Sequence, residues 1–385
     1  MELYFFNIIF ICIVSFIVYS LNYKRELFLV LSFLYLFLVS SLRDGTIGTD
    51  YKSYIIAFET ISKTGTYYME KGYVLLNRIV SFVTSNYIGI AFSVNIILFF
   101  SLFFYVRNNV DSDYWWICVL VFVLNPYMFI QSTFNLMRQT CATGILLIGM
   151  NCIINKLNIR RLVVYCSLVL IAAQFHRIAY FMLLIPIVLW FPWRRSYWLI
   201  VLFISLLISF IGINRILDFL IGNLDFRNSY ANYEPSLLNN PLYLALIIIL
   251  VLFILYRYPI YVEFGEKERR IINLFLFSLC FLLFAVSNDM VYRIYIMLAY
   301  CSLPGFGILI KRANSNTCFE VVKNEAIVLK IVILFYFLFF YIGYIVLLSY
   351  NKNVYYVPFK FVFWISKKWN WFFSIFNDWK GFKVV

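Results

Sequence analysis

The recurrence of long apolar segments is the feature of this sequence that most constrains its fold. A helix that crosses a bilayer needs about 17–25 mostly apolar residues. Such runs recur along the whole chain of 385 residues, of which 64% are hydrophobic and only 13% are charged. A soluble domain is nearer to half apolar and a quarter charged. The sequence therefore predicts an all-α polytopic membrane protein.

Twelve segments have the length and apolarity of transmembrane helices. The first follows Met1 and Glu2 without a basic leader, which favours a first span over a cleaved signal peptide. The two segments that flank His176 are short, so they are either tilted spans or a re-entrant pair. Pro126, which precedes the polar stripe at 131–142, is expected to kink its helix. The predicted spans are residues 3–20, 26–42, 87–106, 114–133, 136–155, 161–175, 178–192, 197–213, 241–258, 271–288, 291–310 and 327–348.

Residues 70–85 have a different pattern, because their apolar positions follow only one helical face. Leu76, Ile79 and Val80 lie on that face, while Asn77 and Arg78 fall on the other side. This pattern is typical of an amphipathic helix that lies in the membrane interface. We therefore expect this helix not to cross the bilayer.

The distribution of lysine and arginine then predicts the orientation. With 70–85 kept interfacial, most basic residues at segment ends fall on one side, which the positive-inside rule assigns to the cytoplasm. The outer loops are then about 43–72 and 214–240. We predict a single transmembrane domain, 1–350, followed by a basic, Trp-rich tail, 351–385, that lies along the interface or re-enters. The predicted cytoplasmic residues are Lys24, Arg25, Arg107, Lys156, Arg160, Arg161, Arg194, Arg195, Arg257, Lys267, Arg269, Arg270, Lys311, Arg312, Lys323 and Lys330.

Composition also excludes several classes of function. The net charge of +14 follows from basic residues at membrane boundaries, and no nucleic-acid-binding motif is present, so no nucleic acid partner is expected. The eight cysteines form no CxxC pair, and the chain has one histidine, which argues against a histidine-ligated metal. Motifs for ATP hydrolysis and zinc proteolysis are missing.

Positive charge on the predicted outer side runs against the orientation rule and calls for an anionic partner. A diphosphate is a natural candidate, because the guanidinium fork matches phosphate oxygens. The arginines predicted to face outward are Arg43, Arg78, Arg138, Arg177, Arg215, Arg227 and Arg293.

Four polar groups on the same side are candidates for chemistry. Asp50, in a glycine-containing loop, and Glu70, at the start of the amphipathic helix, supply carboxylates, although a solvated turn or a helix start explains them equally. Arg138 and Gln139 continue a polar stripe on an apolar helix, which suits either interhelical hydrogen bonds or a cavity. His176 suits proton transfer or simple packing.

Five elements follow one another in the chain: Arg43 with GTDY at 48–51 and Tyr54, EKGY at 70–73, RQTCA at 138–142, HRIA at 176–179, and Arg293. Taken together, in this order, they resemble the EpsG family of polysaccharide polymerases, relatives of the Wzy-type O-antigen polymerases. The resemblance covers about residues 40–300.

The resemblance implies a multispanning glycosyltransferase of the GT-C-like class in a bacterial inner membrane, with its active site facing outward. A polyprenyl-diphosphate-linked glycan would be transferred to an incoming lipid-linked repeat unit. Arg43, Arg138 and Arg293 would bind the diphosphate, with Arg177 in reserve. Asp50, His176 or Glu70 would be the catalytic base. Tyr51, Tyr54 and Gln139 would contact sugar.

No cofactor is expected, although paired carboxylates allow a divalent cation. Membrane lipid, a chain-length regulator and a flippase are the expected partners. Two other functions fit the same residues: a flippase for the lipid-linked unit, and a membrane O-acyltransferase or ligase acting on the same glycans. A flippase would need polar groups deep in the membrane and on the inner half, whereas here they collect on the outer side.

Overall fold

A computed structural model describes residues 2–43, 47–48, 50–211, 241–262, 265–285 and 289–315, with four single positions between 331 and 341. Within these ranges the regular structure is helical and contains no strand, which confirms the all-α prediction. The outer loop 214–240, most of the last predicted span and the tail 351–385 lie outside the described residues.

The described helices begin and end close to the predicted spans, because the polar residues that interrupt the apolar runs also end the helices. They are α1 (Glu2–Ser20), α2 (Arg25–Ser41), α3 (Tyr51–Thr64), α4 (Lys71–Ser81), α5 (Ile88–Asn109), α6 (Trp115–Leu124), α7 (Ser132–Phe134), α8 (Met137–Asn155), α9 (Ile159–Ala173), α10 (Ile185–Trp190), α11 (Arg195–Ile211), α12 (Pro241–Val262), α13 (Glu266–Ala285), α14 (Asp289–Ser302) and α15 (Pro304–Ser315).

By length and composition, two of the described helices, α5 and α8, are long and apolar enough to cross a membrane. Two bent helix pairs raise this number to four if each pair is one span. These findings support a membrane protein. Twelve spans and a GT-C-like arrangement stay predictions.

The predicted span 114–133 is not one straight helix. It breaks at Asn125 and Pro126, and the two halves, Ser112–Leu124 and Tyr127–Phe134, meet at an angle of 71°. Proline has no backbone N–H and its ring clashes with the preceding turn. The Asn125 side chain accepts a hydrogen bond from the Tyr127 backbone N–H at 3.1 Å and so stabilises the break. The predicted kink at Pro126 is confirmed.

The predicted span 291–310 is also bent, by 45°, where α14 meets α15. Pro304 begins the second half, so the bend has the same physical cause as the first. The Tyr300 hydroxyl donates to the Met128 carbonyl, and the rings of Tyr127 and Tyr292 lie 4.6 Å apart. The two broken helices therefore pack against each other in the main core.

The polar segment after α2, predicted to be part of an outer loop at about 43–72, contains a helix, α3. Tyr54, Phe58 and Ile61 are buried on one face of α3. Their spacing of four and then three residues is helical and could have been found in the sequence. Tyr54 and Phe58 join Tyr73 of α4 and Met137 of α8 in a second, smaller apolar core.

Helix α4 is 11 residues long, about 16 Å, and does not cross the bundle. It ends at Ser81, four residues earlier than the pattern predicted. Leu75, Ile79 and the following Phe82 are exposed, whereas Val80, predicted on the same face, is buried against the smaller core. An exposed apolar face on a short helix fits the interfacial position, which stays a prediction.

Several of the basic residues that were predicted to be cytoplasmic lie at one end of the bundle. Arg107 of α5 contacts Glu26 of α2 at 2.5 Å, and Lys311 of α15 contacts Asp111 at 2.7 Å. Arg270 of α13 donates to the carbonyl of Ile154 near the end of α8, at 3.1 Å. The basic residues that make these contacts thus share one end. Which side of the membrane that end faces stays a prediction.

Candidate functional site

Arg138 is at the centre of the polar group at the other end of the bundle. The chain breaks at Asn135 and Leu136, and α8 begins at Met137, so Arg138 stands in the first turn of that helix. Its Nη1 atom lies 2.5 Å from Oε2 of Glu70. The side chains are only 28% and 14% exposed, so water screens this ion pair weakly.

Glu70 reaches Arg138 because α4 begins against the end of α9. The Gly72 N–H donates to the Gln174 carbonyl at 2.8 Å, and a Cβ atom on Gly72 would lie 2.8 Å from that same oxygen. Only glycine allows such a close approach without a shift of the backbone. The contact places Glu70 beside His176, which follows Gln174 by two residues.

His176 is buried, with 8% of its surface exposed, in the connection between α9 and a 3₁₀ helix at Arg177–Leu184. Burial lowers its pKa to about 4, and the charge of Arg138 acts in the same direction, while Glu70 opposes the shift and Arg293 adds to it. The imidazole is therefore neutral near pH 7. Its Nδ1 atom has no hydrogen-bond partner among the described residues.

Tyr54 approaches the same guanidinium from α3. Its ring packs edge-on against Tyr73 with 5.8 Å between centroids. Burial raises the pKa of the Tyr54 hydroxyl, and Arg138 opposes that shift. The hydroxyl therefore stays protonated. Asp50 is exposed just before α3 and lies within electrostatic range of Tyr54.

A contact between Gln139 and Arg293 places α14 beside the polar group around Arg138. The Gln139 side-chain amide donates to the Arg293 carbonyl at 2.7 Å, which joins α8 to α14. The Arg293 side chain lies within electrostatic range of both Tyr54 and His176. The structure thus assembles Asp50, Tyr54, Glu70, Arg138, His176 and Arg293 from five segments that are far apart in the sequence.

Arg43 is beside this group but packed into the protein. Only 4% of its surface is exposed. Its Nη2 atom donates to the Phe134 carbonyl at 3.2 Å, and its guanidinium lies 5.1 Å from the centre of the Phe134 ring. Gly48, at φ +116°, packs so closely on Asn135 that a Cβ atom would lie 2.7 Å from the amide oxygen. The loop is therefore fixed to the break before α8.

Two predicted site residues lie further out. The Arg177 side chain is exposed and makes no hydrogen bond or ion pair within the described parts of the chain. Tyr51 is half-buried, and Lys52 lies 5.9 Å from the centre of its ring. Their proposed roles with diphosphate and sugar stay predictions.

Two structural supports of the site were missed in the sequence. The Gln174 carbonyl that receives α4 has no sequence signal, because any residue supplies a carbonyl. Tyr73 belongs to the EKGY element, but its packing in the smaller core was not predicted. Its helical spacing from Leu76 and Val80 places it on the apolar side of α4 and could have indicated that packing. Its hydroxyl lies under the site and has no hydrogen-bond partner among the described residues.

Several polar atoms around Arg138 are similarly unsatisfied. Within the described ranges, no hydrogen bond is made by Arg138 Nε, Gln139 Oε1 or Gln131 Oε1. Buried polar atoms are normally paired, so such a group suits water or a polar ligand. No group of three or more metal-ligating His, Cys, Asp or Glu side chains occurs in the searched, described residues.

A family model described as "EpsG family" matches residues 26–361, a range that contains every candidate site residue from Arg43 to Arg293. The chain belongs to the EpsG family. This confirms the resemblance seen in the sequence and indicates a Wzy-like role in the polymerisation of exopolysaccharide or O-antigen. The curated proteins and the solved structures gave no match to the chain.

Proposed function

We propose that this EpsG-family protein is a glycosyltransferase that joins polyprenyl-diphosphate-linked oligosaccharide repeat units on the outer face of the bacterial inner membrane. The observation that carries the proposal is the weakly screened Arg138–Glu70 pair, with Arg293, His176 and unsatisfied polar atoms around it. A cationic, partly dry site of this kind suits a substrate that gains negative charge as it reacts.

In the proposed reaction, a hydroxyl oxygen of the acceptor sugar bonds to the anomeric carbon of the donor glycan. The bond from that carbon to the diphosphate oxygen breaks, and polyprenyl diphosphate leaves with the bonding electrons. The hydroxyl proton passes to a base. No nucleotide sugar takes part, because the lipid diphosphate is itself the leaving group.

Arg138 and Arg293 are proposed to bind the leaving diphosphate. Arg138 already has one carboxylate partner, so the diphosphate must compete with Glu70 for the guanidinium. A diphosphate carries more charge than a carboxylate and offers more oxygens for bidentate contacts. Arg43, held by Phe134, would add a fixed positive charge, and Arg177 would contact the diphosphate from the exposed rim.

We further propose that this competition makes Glu70 the base. Once the diphosphate binds Arg138, Glu70 loses its cationic partner, and its carboxylate oxygens are free to accept the proton of the acceptor hydroxyl. The lowered pKa of His176 makes its imidazole a weaker base, so His176 would act as a neutral hydrogen-bonding group. Asp50, Tyr51, Tyr54 and Gln139 would hold sugar hydroxyls.

The exposed apolar side chains of α4 support a role for this helix at the lipid entrance. Leu75, Ile79 and Phe82 are exposed while Glu70, at the start of the same helix, contacts Arg138. A polyprenyl chain lying along this face would bring its diphosphate to the arginine end of the helix. The twelve-span, GT-C-like arrangement would surround this site.

The test is to incubate purified protein with a synthetic lipid-linked repeat unit and to resolve the products by chain length. Wild-type protein should form a ladder and release polyprenyl diphosphate. The Arg138→Ala variant should be folded and form no ladder, and Arg138→Lys should stay impaired because lysine lacks the guanidinium fork. Arg107→Ala, which breaks an ion pair at the other end, is the matched control.

A normal ladder from Arg138→Ala would contradict the site assignment. A wild-type protein that makes no ladder, but moves the lipid-linked unit across a vesicle membrane, would indicate the flippase. Transfer of an acyl group would indicate an acyltransferase. Chains that form in cells without the protein, but stay on the lipid carrier, would indicate a ligase.

A further inference from the structure

A basic cleft lies at the end of α8 opposite to the candidate site. Arg138 is in the first turn of this helix and Asn155 is its last residue, so the cleft lies roughly 25 Å from the polymerase site. It has a volume of about 470 Å³. The residues that line it are Asn151, Cys152, Asn155, Arg160, Arg161 and Val164.

The cleft is built at the corner where α8 turns into α9. The Asn158 side chain caps α9 by accepting from the Arg161 backbone N–H at 3.0 Å. The Arg161 guanidinium donates to the Cys152 carbonyl at 3.3 Å and holds the two helices together. Arg160 is exposed beside it. Two guanidinium groups and two amides thus face one concave surface.

The charges of this corner differ from those of the paired basic residues at the same end of the bundle. Arg25, Arg107, Lys311 and Arg312 each contact a carboxylate. Within the described parts of the chain, by contrast, Arg160 and Arg161 make no ion pair with a carboxylate. The corner therefore has positive charge that no carboxylate of the described residues neutralises. The positive-inside rule explains basic residues at this end, but it does not require them to line a cleft.

Apolar side chains border the cleft on the outer surface of α9. Ile159, Val163 and Val164 are 72%, 57% and 47% exposed. Three exposed aliphatic side chains on a helix that begins with two arginines form an apolar surface directly below a cationic one. This surface is complementary to an anionic phospholipid, because the lipid phosphate can contact the cationic part while the acyl chains contact the apolar part.

We propose that this cleft binds the headgroup of an anionic phospholipid. The phosphate contacts the Arg160 and Arg161 guanidinium groups, the amides of Asn151 and Asn155 bind the remaining headgroup oxygens, and an acyl chain lies against Val163 and Val164. The site is separate from the polymerase site, and its occupancy does not depend on the proposed reaction.

The test is native mass spectrometry of the detergent-purified protein with added phosphatidylglycerol or phosphatidylcholine. One phosphatidylglycerol should stay bound per chain, and phosphatidylcholine should not. Arg160→Glu should weaken retention about tenfold. Val164→Trp, which fills the cleft and keeps the net charge, should weaken it similarly. Arg194→Glu, an exposed arginine that does not line the cleft, is the matched control.

Equal retention in wild type and both cleft variants would overturn the proposal. Equal loss in Arg194→Glu would also overturn it, because general attraction to a basic surface would then explain the binding. If inorganic phosphate displaces the lipid at equal concentration, the cleft is a site for a soluble anion and not for a lipid. A melting curve of each variant without lipid separates loss of binding from loss of fold.

Discussion

The two ends of the helical bundle use similar residues for different purposes. At one end, Glu268 of α13 accepts from both Lys311 and Arg312 of α15, and Arg107 and Arg25 each contact a carboxylate of another segment. At the other end, Glu70 contacts Arg138, whose Nε atom has no partner among the described residues, and His176 is buried nearby with an unsatisfied Nδ1.

The difference lies in how completely the polar groups are satisfied. The pairs around Glu268 join helix ends and leave little hydrogen-bonding capacity, as suits a structural contact. The group around Arg138 has donor and acceptor atoms without hydrogen-bond partners among the described residues, inside a partly buried site. Such atoms lower stability unless a ligand bonds to them. We therefore expect substitutions at the first end to change stability, and substitutions at the second to change activity.

The largest expected effect is that of Glu70→Gln on turnover. If Glu70 is the base, kcat for ladder formation should fall on the order of 100-fold or more. KM for the donor should not rise, because glutamine competes less with the diphosphate for Arg138. Initial rates at several donor concentrations measure both constants. An unchanged kcat would move the role of base to Asp50, which the parallel Asp50→Asn variant would then show.

The corresponding change at the other end is Glu268→Gln. Arg312 and Lys311 would lose their shared carboxylate in a mostly buried position, so we expect a loss of roughly 3 kcal/mol of stability. Activity per folded molecule should be retained. Thermal unfolding in detergent, together with the ladder assay, checks both points. A loss of activity without a loss of stability would contradict the idea that this end contributes to stability and the other end to activity.

A pH dependence follows from His176. In the unfolded chain this histidine takes up a proton near pH 6.5, whereas in the folded protein it does so only near pH 4. Between these values the unfolded state binds more protons, so stability should fall as the pH drops. Because this is the one histidine in the chain, His176→Gln should reduce the drop in unfolding temperature between pH 7 and pH 4.5. An identical drop in both proteins would show that the carboxylates alone cause it.

The smallest expected effect is that of Arg107→Ala. Both members of the Arg107–Glu26 pair are about half exposed, so the pair contributes at most about 1 kcal/mol. The variant should unfold within a few degrees of wild type and polymerise normally. A large destabilisation would mean that surface pairs at this end matter more than their exposure indicates.

Much of the architecture could be predicted from local sequence. Apolar run lengths predicted helices whose described bounds lie close to the observed ones, and Pro126 predicted the break before the site. Helix α3 was missed although Tyr54, Phe58 and Ile61 have helical spacing, because the surrounding polar residues suggested a loop. The alternation of the predicted transmembrane segments placed the basic residues at one end, and the ion pairs of Arg107 and Lys311 agree with this prediction.

The sequence by itself determined the all-helical, apolar character of the chain, the kink at Pro126 and the family to which it belongs, because these depend on composition, spacing and order along the chain. Only the tertiary structure decided that Glu70 contacts Arg138, that Gly72 packs on Gln174 and that His176 is buried and neutral. Such contacts join residues about 70 to 100 positions apart. They depend on how helices pack, and neither periodicity nor charge counting specifies that packing.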